Sequence, residues 1–175
     1  MKLIAGLGNY PKEYNFTRHN AGFIAVNYIQ ENNNFEDWNE SKKFLCDMSK
    51  GELFNQDVIL IKPNTYMNLS GDSIIKVMNF YKLKAEDLIV LHDELDFNFG
   101  VVKVSQSRNS AGHNGIKSIN SYIKEQYNRI RIGIGRPENK DYDISNYVLS
   151  KFTKEEQEKL DEISKNVVLT IKTLI

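Results

Sequence analysis

Cysteine is almost absent from this chain: the single Cys46 has no second thiol to pair with. That excludes an internal disulfide framework and fits a reducing compartment, with a small buried hydrophobe as the simpler reading of Cys46 than a nucleophile. Net charge is lacking too, because 23 Lys plus Arg stand against 23 Asp plus Glu. No bulk field draws in nucleic acid, so any polyanion site must be a local patch. Long apolar runs are missing as well: none approaches the roughly 18 residues that a membrane span requires. The opening Met1-Lys2-Leu3-Ile4-Ala5-Gly6 meets a Gly-Asn turn too early for a signal peptide. The expectation is a cytoplasmic protein with no membrane partner. A length of 175 residues fits one domain spanning 1–175, able to bury roughly two-thirds of its unfolded surface without a staple.

Histidine is the last scarcity, and it locates the chemistry. Of three histidines, His19 lies in Thr17-Arg18-His19-Asn20-Ala21-Gly22-Phe23 and His113 in Gly112-His113-Asn114-Gly115, while His92 stands directly before Asp93. Groups able to exchange protons near neutral pH therefore sit in polar segments between apolar runs, which points to one site assembled from loops. Charge is unevenly placed: Lys103, Arg108, Lys117, Lys124, Arg129, Arg131 and Arg136 crowd one stretch, and Glu155, Glu156, Glu158, Asp161 and Glu162 cluster near the end. A solvated face explains either run alone.

The hydrophobic period switches repeatedly along the chain. Short runs at Leu3-Ile4-Ala5, Val58-Ile59-Leu60-Ile61 and Leu88-Ile89-Val90-Leu91 read as strands. Further strands are predicted at 101–105 and at 129–134, the latter alternating Arg and Ile as a strand with one wet face does. Helical stripes lie between them: Phe23, Val26, Ile29; Ile74, Ile75, Met78, Tyr81; Ile116, Ile119, Ile123; and Leu160, Ile163, Val167, Ile171, Leu174. The pattern predicts an α/β single-domain three-layer sandwich, with a mixed, largely parallel central sheet flanked by helices. In such folds ligands bind where strands end and helices begin. Gly6-Leu7-Gly8-Asn9, Lys62 to Asn68, and His92-Asp93-Glu94-Leu95-Asp96 all follow apolar runs, and Gly112 to Gly115 precedes a helix.

Without a suitable Ser or Cys, an imidazole can deprotonate water if a carboxylate fixes its tautomer, and His19 with Asp93 would form that pair. Carboxamides such as Asn9, Asn68 and Asn114 can hold a carbonyl and donate to a developing oxyanion. Together these describe hydrolysis of an ester or amide, although any one Asn also suits a cap or turn. Other chemistries fit less well. A dinucleotide-binding oxidoreductase needs a third glycine where Pro11 stands and an acidic residue about 20 positions on. A serine hydrolase using Ser70 lacks the G-x-S-x-G elbow, which leaves Ser70 as a helix-start residue. A metal site from His92, Asp93, Glu94 and Asp96 would require neighbours on a strand to face one ion.

Taken together, Gly6-Leu7-Gly8-Asn9, Tyr14, Thr17 to Phe23, Lys62-Pro63 with Thr65 to Gly71, His92 to Asp96, Gly112 to Gly115, Arg131 to Gly135 and Tyr147-Val148-Leu149 resemble the bacterial peptidyl-tRNA hydrolase family across nearly the whole chain. The resemblance implies hydrolysis of the ester joining a peptide, or an N-blocked aminoacyl group, to the 3′-terminal ribose of tRNA. That reaction recycles tRNA dropped by or trapped on stalled ribosomes. By carry-over His19 is the general base, Asp93 stabilises its basic form, and Asn9 discriminates blocked from free α-amino groups. Asn68 and Asn114 would bind the carbonyl or terminal nucleotide, Tyr14, Tyr66 and Met67 would line the cleft, and Lys103 and Arg131 would grip phosphates. His113 is expected to gate the site rather than react.

No metal or cofactor is implied, the large ribosomal subunit is a possible partner, and a monomer is expected. The sequence departs from the family pattern at Tyr10-Pro11, at Ser105 where a second basic residue is usual, at Ala111 in place of glycine, and in stopping at Ile175. The competing reading is a non-catalytic tRNA-binding module, which would use the same basic stretch without His19.

Overall fold

The computed structural model describes residues 1–175. Its strands are β1 (Lys2–Gly6), β2 (Asn39–Ser41), β3 (Cys46–Leu53), β4 (Gln56–Pro63), β5 (Leu88–Glu94), β6 (Val102–Ser105) and β7 (Asn128–Gly133). Its helices are α1 (Ala21–Asn32), α2 (Ser70–Tyr81), α3 (Asn114–Tyr122), α4 (Ile144–Leu149), α5 (Lys154–Gln157) and α6 (Leu160–Ile171). The strands form one sheet in the order β2-β3-β4-β1-β5-β7-β6. The central β4, β1, β5 and β7 run parallel, while β2, β3 and β6 add antiparallel edges, which is the mixed, largely parallel sandwich predicted.

The continuous apolar runs are continuous because both faces of the central strands are covered. Leu3, Ile59, Ile61, Leu88 and Val90 point to the face packed by α2 and α3. The alternate residues Ile4, Val58, Leu60, Ile89 and Leu91 meet α1 and α6 on the other. Gly22, in the first turn of α1, lies so close to the strand ends that a Cβ there would collide with the backbone of Leu7 and Leu91. This close approach brings the residues before α1 against the ends of β1 and β5.

The β2–β3 hairpin and α4 are the elements that apolar runs did not reveal. In β3 the buried residues are Cys46, Met48, Ser49 and Leu53, so polar and small residues dilute the alternation. The charged stretch after Thr153 divides into α5 and α6. Thr153 and Glu156 form a reciprocal capping box at the start of α5.

Candidate active site

The strand ends deliver the site one loop at a time. Beyond β1, the backbone of Asn9 is held by Asn20: its N–H donates to Asn20 Oδ1 at 2.8 Å, and Asn20 Nδ2 donates back to its carbonyl at 3.0 Å. The Asn9 side chain accepts from the backbone N–H of Met67 at 2.9 Å, which ties in the turn that follows β4. With Oδ1 occupied, Nδ2 is the Asn9 side-chain group left without a protein hydrogen-bond partner. In the sequence Asn20 stands only as part of a motif. Its structural work is this reciprocal amide contact, which no spacing rule identifies.

His19 lies in a 3₁₀ turn (Arg18–Asn20) directly before α1. Its Nδ1 is 2.9 Å and 3.0 Å from the two carboxylate oxygens of Asp93, the penultimate residue of β5. Nδ1 therefore carries the proton and Nε2 is left as the base. His113 reaches the same carboxylate from the opposite side, its Nε2 donating to Oδ1 at 2.9 Å. His113 Nδ1 caps α3, accepting from Gly115 N at 3.1 Å and Ile116 N at 3.4 Å, so the helix selects the tautomer. The rings of His19 and His113 lie 4.9 Å apart, and His92 meets His113 edge-on at the same separation. All the histidines of the chain thus belong to one cluster.

Burial pulls the His19 imidazole toward its neutral form, but the charge and hydrogen bond of Asp93 outweigh this and leave its pKa above the ordinary histidine value. Burial opposes ionisation of Asp93 as well, yet the paired imidazoles of His19 and His113 hold its carboxyl well below the usual carboxylate range. His92 is wholly enclosed. Burial, followed by the proximity of His113, pushes it well below the ordinary value. Its Nδ1 donates to the Asp93 carbonyl at 2.8 Å.

The donors of His19, Asp93 and His113 lie within 4.8 Å of one another, close enough to surround a metal ion. The capping of α3 argues against that use: it fixes the proton on His113 Nε2, the atom that would have to face the cation. The acidic run does not gather around an ion either. Glu94 receives Arg131, with Oε2 at 2.8 Å from Nε and 2.7 Å from Nη2. Asp96 receives Arg136 at 2.7 Å.

His19 and Asp93 open into a cleft of about 160 Å³, whose far wall is Ile144, Ser145 and Val148 on α4 and whose rim includes His113 and Asn114. Asn68, Asn114 and Tyr66 are exposed, Met67 is buried, and Tyr14 is half-buried. Lys103 and Arg131 are paired across β6 and β7. Both cations lie over the Phe97 ring, at 4.9 Å and 4.4 Å from its centroid. The structure separates them all the same: Lys103 is exposed, whereas the Arg131 charge is committed to Glu94. The sequence offers Glu94 only as a member of an ill-fitting metal set and Arg18 only as part of a motif; the one signal for each is a charged residue set between site residues.

The chain as a whole matches known proteins. The family model for peptidyl-tRNA hydrolase matches residues 3–175. Peptidyl-tRNA hydrolases of Rickettsia prowazekii (strain Madrid E) and Rickettsia africae (strain ESF-5) are each 43% identical over 175 residues, covering 98% of this chain and 94% of theirs. A solved peptidyl-tRNA hydrolase from Acinetobacter baumannii is 37% identical and superposes with a TM-score of 0.91, over 99% of this chain and 88% of its own. With the match running nearly end to end, this chain belongs to the peptidyl-tRNA hydrolase family.

Proposed function

We propose that this protein cleaves the ester between a peptide and the 3′-terminal ribose of tRNA, the reaction of its family, by water attack under general-base catalysis from His19. The observation that carries the reading is the buried His19–Asp93 pair, which leaves Nε2 unprotonated at the head of the cleft. A water proton passes to Nε2 as the oxygen attacks the ester carbonyl. The resulting imidazolium is stabilised by Asp93. The tetrahedral oxyanion is met by carboxamide N–H groups, with Asn68 and Asn114 on the exposed rim and Asn9 Nδ2 beneath. Collapse expels the ribose 3′ oxygen, which takes the proton back from His19, so the products are a free peptide carboxylate and intact tRNA.

Asn9 contacts the blocked α-amino side of the substrate. Tyr14, Tyr66 and Met67 pack on base or peptide without reading sequence. Lys103 engages a phosphate, and Arg131, bound to Glu94, contributes field and shape beside it. His113 holds the segment before α3 over the cleft by its bond to Asp93. The protein acts in the cytoplasm as a monomer, on peptidyl-tRNA released from or held by the large ribosomal subunit.

The test is release of N-acetyl-aminoacyl product from charged tRNA at low salt, with unblocked aminoacyl-tRNA and His19→Ala in parallel. Cleavage of the blocked ester alone, lost in His19→Ala, is the expected result. Wild-type turnover that survives His19→Ala would overturn the assignment of the base.

A further inference from the structure

Arg18 has a setting unusual for a surface-type residue beside a catalytic turn. It is buried, with 7% of its surface exposed, and its guanidinium carbon lies 4.8 Å from the ring centroid of Tyr147 and 5.2 Å from that of Phe152. Nη1 lies 2.8 Å from Glu156 Oε2. That contact is an ion pair without hydrogen-bond alignment, for neither Nη1 nor Nε has a well-angled acceptor. A cation this deeply placed and incompletely satisfied costs free energy that a methionine of similar reach would avoid. Stability alone does not account for it.

The backbone shows what the side chain holds. Arg18 N–H donates to the Ser150 carbonyl at 2.9 Å, Phe152 N–H donates to the Phe16 carbonyl at 2.9 Å, and Thr17 bridges Lys151 in antiparallel fashion. The strand-like segment before His19 is thereby stitched to the connection between α4 and α5. Tyr147 continues the link, its hydroxyl donating to the Ile134 carbonyl just beyond β7 at 3.1 Å. Since α4 also supplies Ile144, Ser145 and Val148 to the cleft, the base and the opposite wall share one clamp.

We propose that Arg18 is a positioning residue for the reaction, a stacked guanidinium that locks the His19 turn to the α4 wall and so sets where Nε2 points relative to bound substrate. The inference rests on His19 as the base. A stack between two aromatic rings suits this task because it resists tilting of the turn and so keeps the hydrogen bonds of His19 to Asp93 in place. The charged and titratable groups that face His19 are Asp93 on β5 and His113 ahead of α3. Across the clamp stand Arg18 itself, Tyr147 on α4 and Glu156 on α5.

The experiment compares Arg18→Met and Arg18→Lys with Val167→Ala, a core variant in α6 that lowers the melting temperature without touching the cleft. kcat and KM for N-acetyl-aminoacyl-tRNA are measured across the acid limb of the pH profile. Arg18→Met is expected to lower kcat about 10- to 100-fold with KM changed by less than about threefold, the pattern of a displaced catalytic group. Its acid limb should move to lower pH as His19 loosens from Asp93, and Arg18→Lys should restore part of both effects. If Arg18→Met does not fold, Glu156→Gln replaces it, with a smaller fall in kcat and the same direction of the limb. Arg18 variants that match Val167→Ala in kcat and limb, or that raise KM alone, overturn the proposal. Failure of the underlying reading shows separately, as turnover that His19→Ala does not abolish.

Discussion

The reaction centre and the substrate-facing rim are built on opposite plans. Around Asp93 both imidazoles are committed: His19 and His113 donate to one buried carboxylate, and the start of α3 fixes the His113 tautomer. Among the side chains proposed to meet substrate, Asn68, Asn114, Tyr66 and Lys103 stand exposed, with Asn114 lining the cleft. The difference is one of timing. Charge develops at the centre during the reaction, so the groups that stabilise it must be oriented beforehand in a place with little water to reorganise. A surface that must first admit a large polyanion keeps its polar groups accessible instead.

The comparison breaks most visibly at Asp93. Asp93→Asn should lower kcat by about 10³- to 10⁴-fold with tRNA affinity nearly unchanged, because a carboxamide carries no charge to stabilise the imidazolium and sets an N–H donor against a donating imidazole. The acid limb, expected above the ordinary histidine value because Asp93 raises His19, should move to lower pH. Equal losses in binding and turnover would show that the centre is not separate from the rim. Asn9 sits on the border between the two. Asn9→Asp keeps the acceptor for Met67 N–H but removes the donor, so a fall of about 10²-fold in turnover of blocked substrate is expected, with melting temperature little changed.

The basic edge sharpens the contrast. Arg131→Ala strands the buried Glu94 and should cost about 2 kcal/mol in urea unfolding. Lys103→Ala should leave stability alone and take about one unit from the salt dependence of tRNA binding. If the two variants behave alike, the division between a committed and a free cation is wrong. The smallest effect belongs to His92. Its depressed pKa means that the unfolded chain gains a proton the folded chain refuses, so stability falls as pH drops below about 6.5. His19, raised, works in the other direction, its contribution full below that value and fading as pH rises through its folded pKa. His92→Gln should flatten the acid-side loss by up to about 1 kcal/mol per pH unit, read by urea unfolding; an unchanged slope would mean that His92 is not the group responsible.

Much of this was legible in one dimension. The runs at Leu3, Val58 and Leu88 declared buried parallel strands because only a strand covered on both faces tolerates uninterrupted apolar residues. The β2–β3 hairpin is not legible in the apolar pattern because β3 carries Ser49 and Gly51 among its inward positions. Likewise, the His19–Asp93 pair followed from the chemistry of the few titratable groups and from the family resemblance, while its sharing with His113 did not.

What the sequence determined by itself was the period of its apolar residues, hence the layers, and the handful of side chains able to perform proton transfer near neutral pH. Only the tertiary structure decided how those groups are divided: His113 locked by the start of α3, Arg131 spent on Glu94, Lys103 left exposed, and Arg18 stacked between Tyr147 and Phe152. Periodicity is local, set by the geometry of one helix or strand. The role of a charged side chain depends on which partner lies within about 3 Å, and residues as distant in the chain as Arg18 and Glu156 come within that range only after the sheet and its helices have packed.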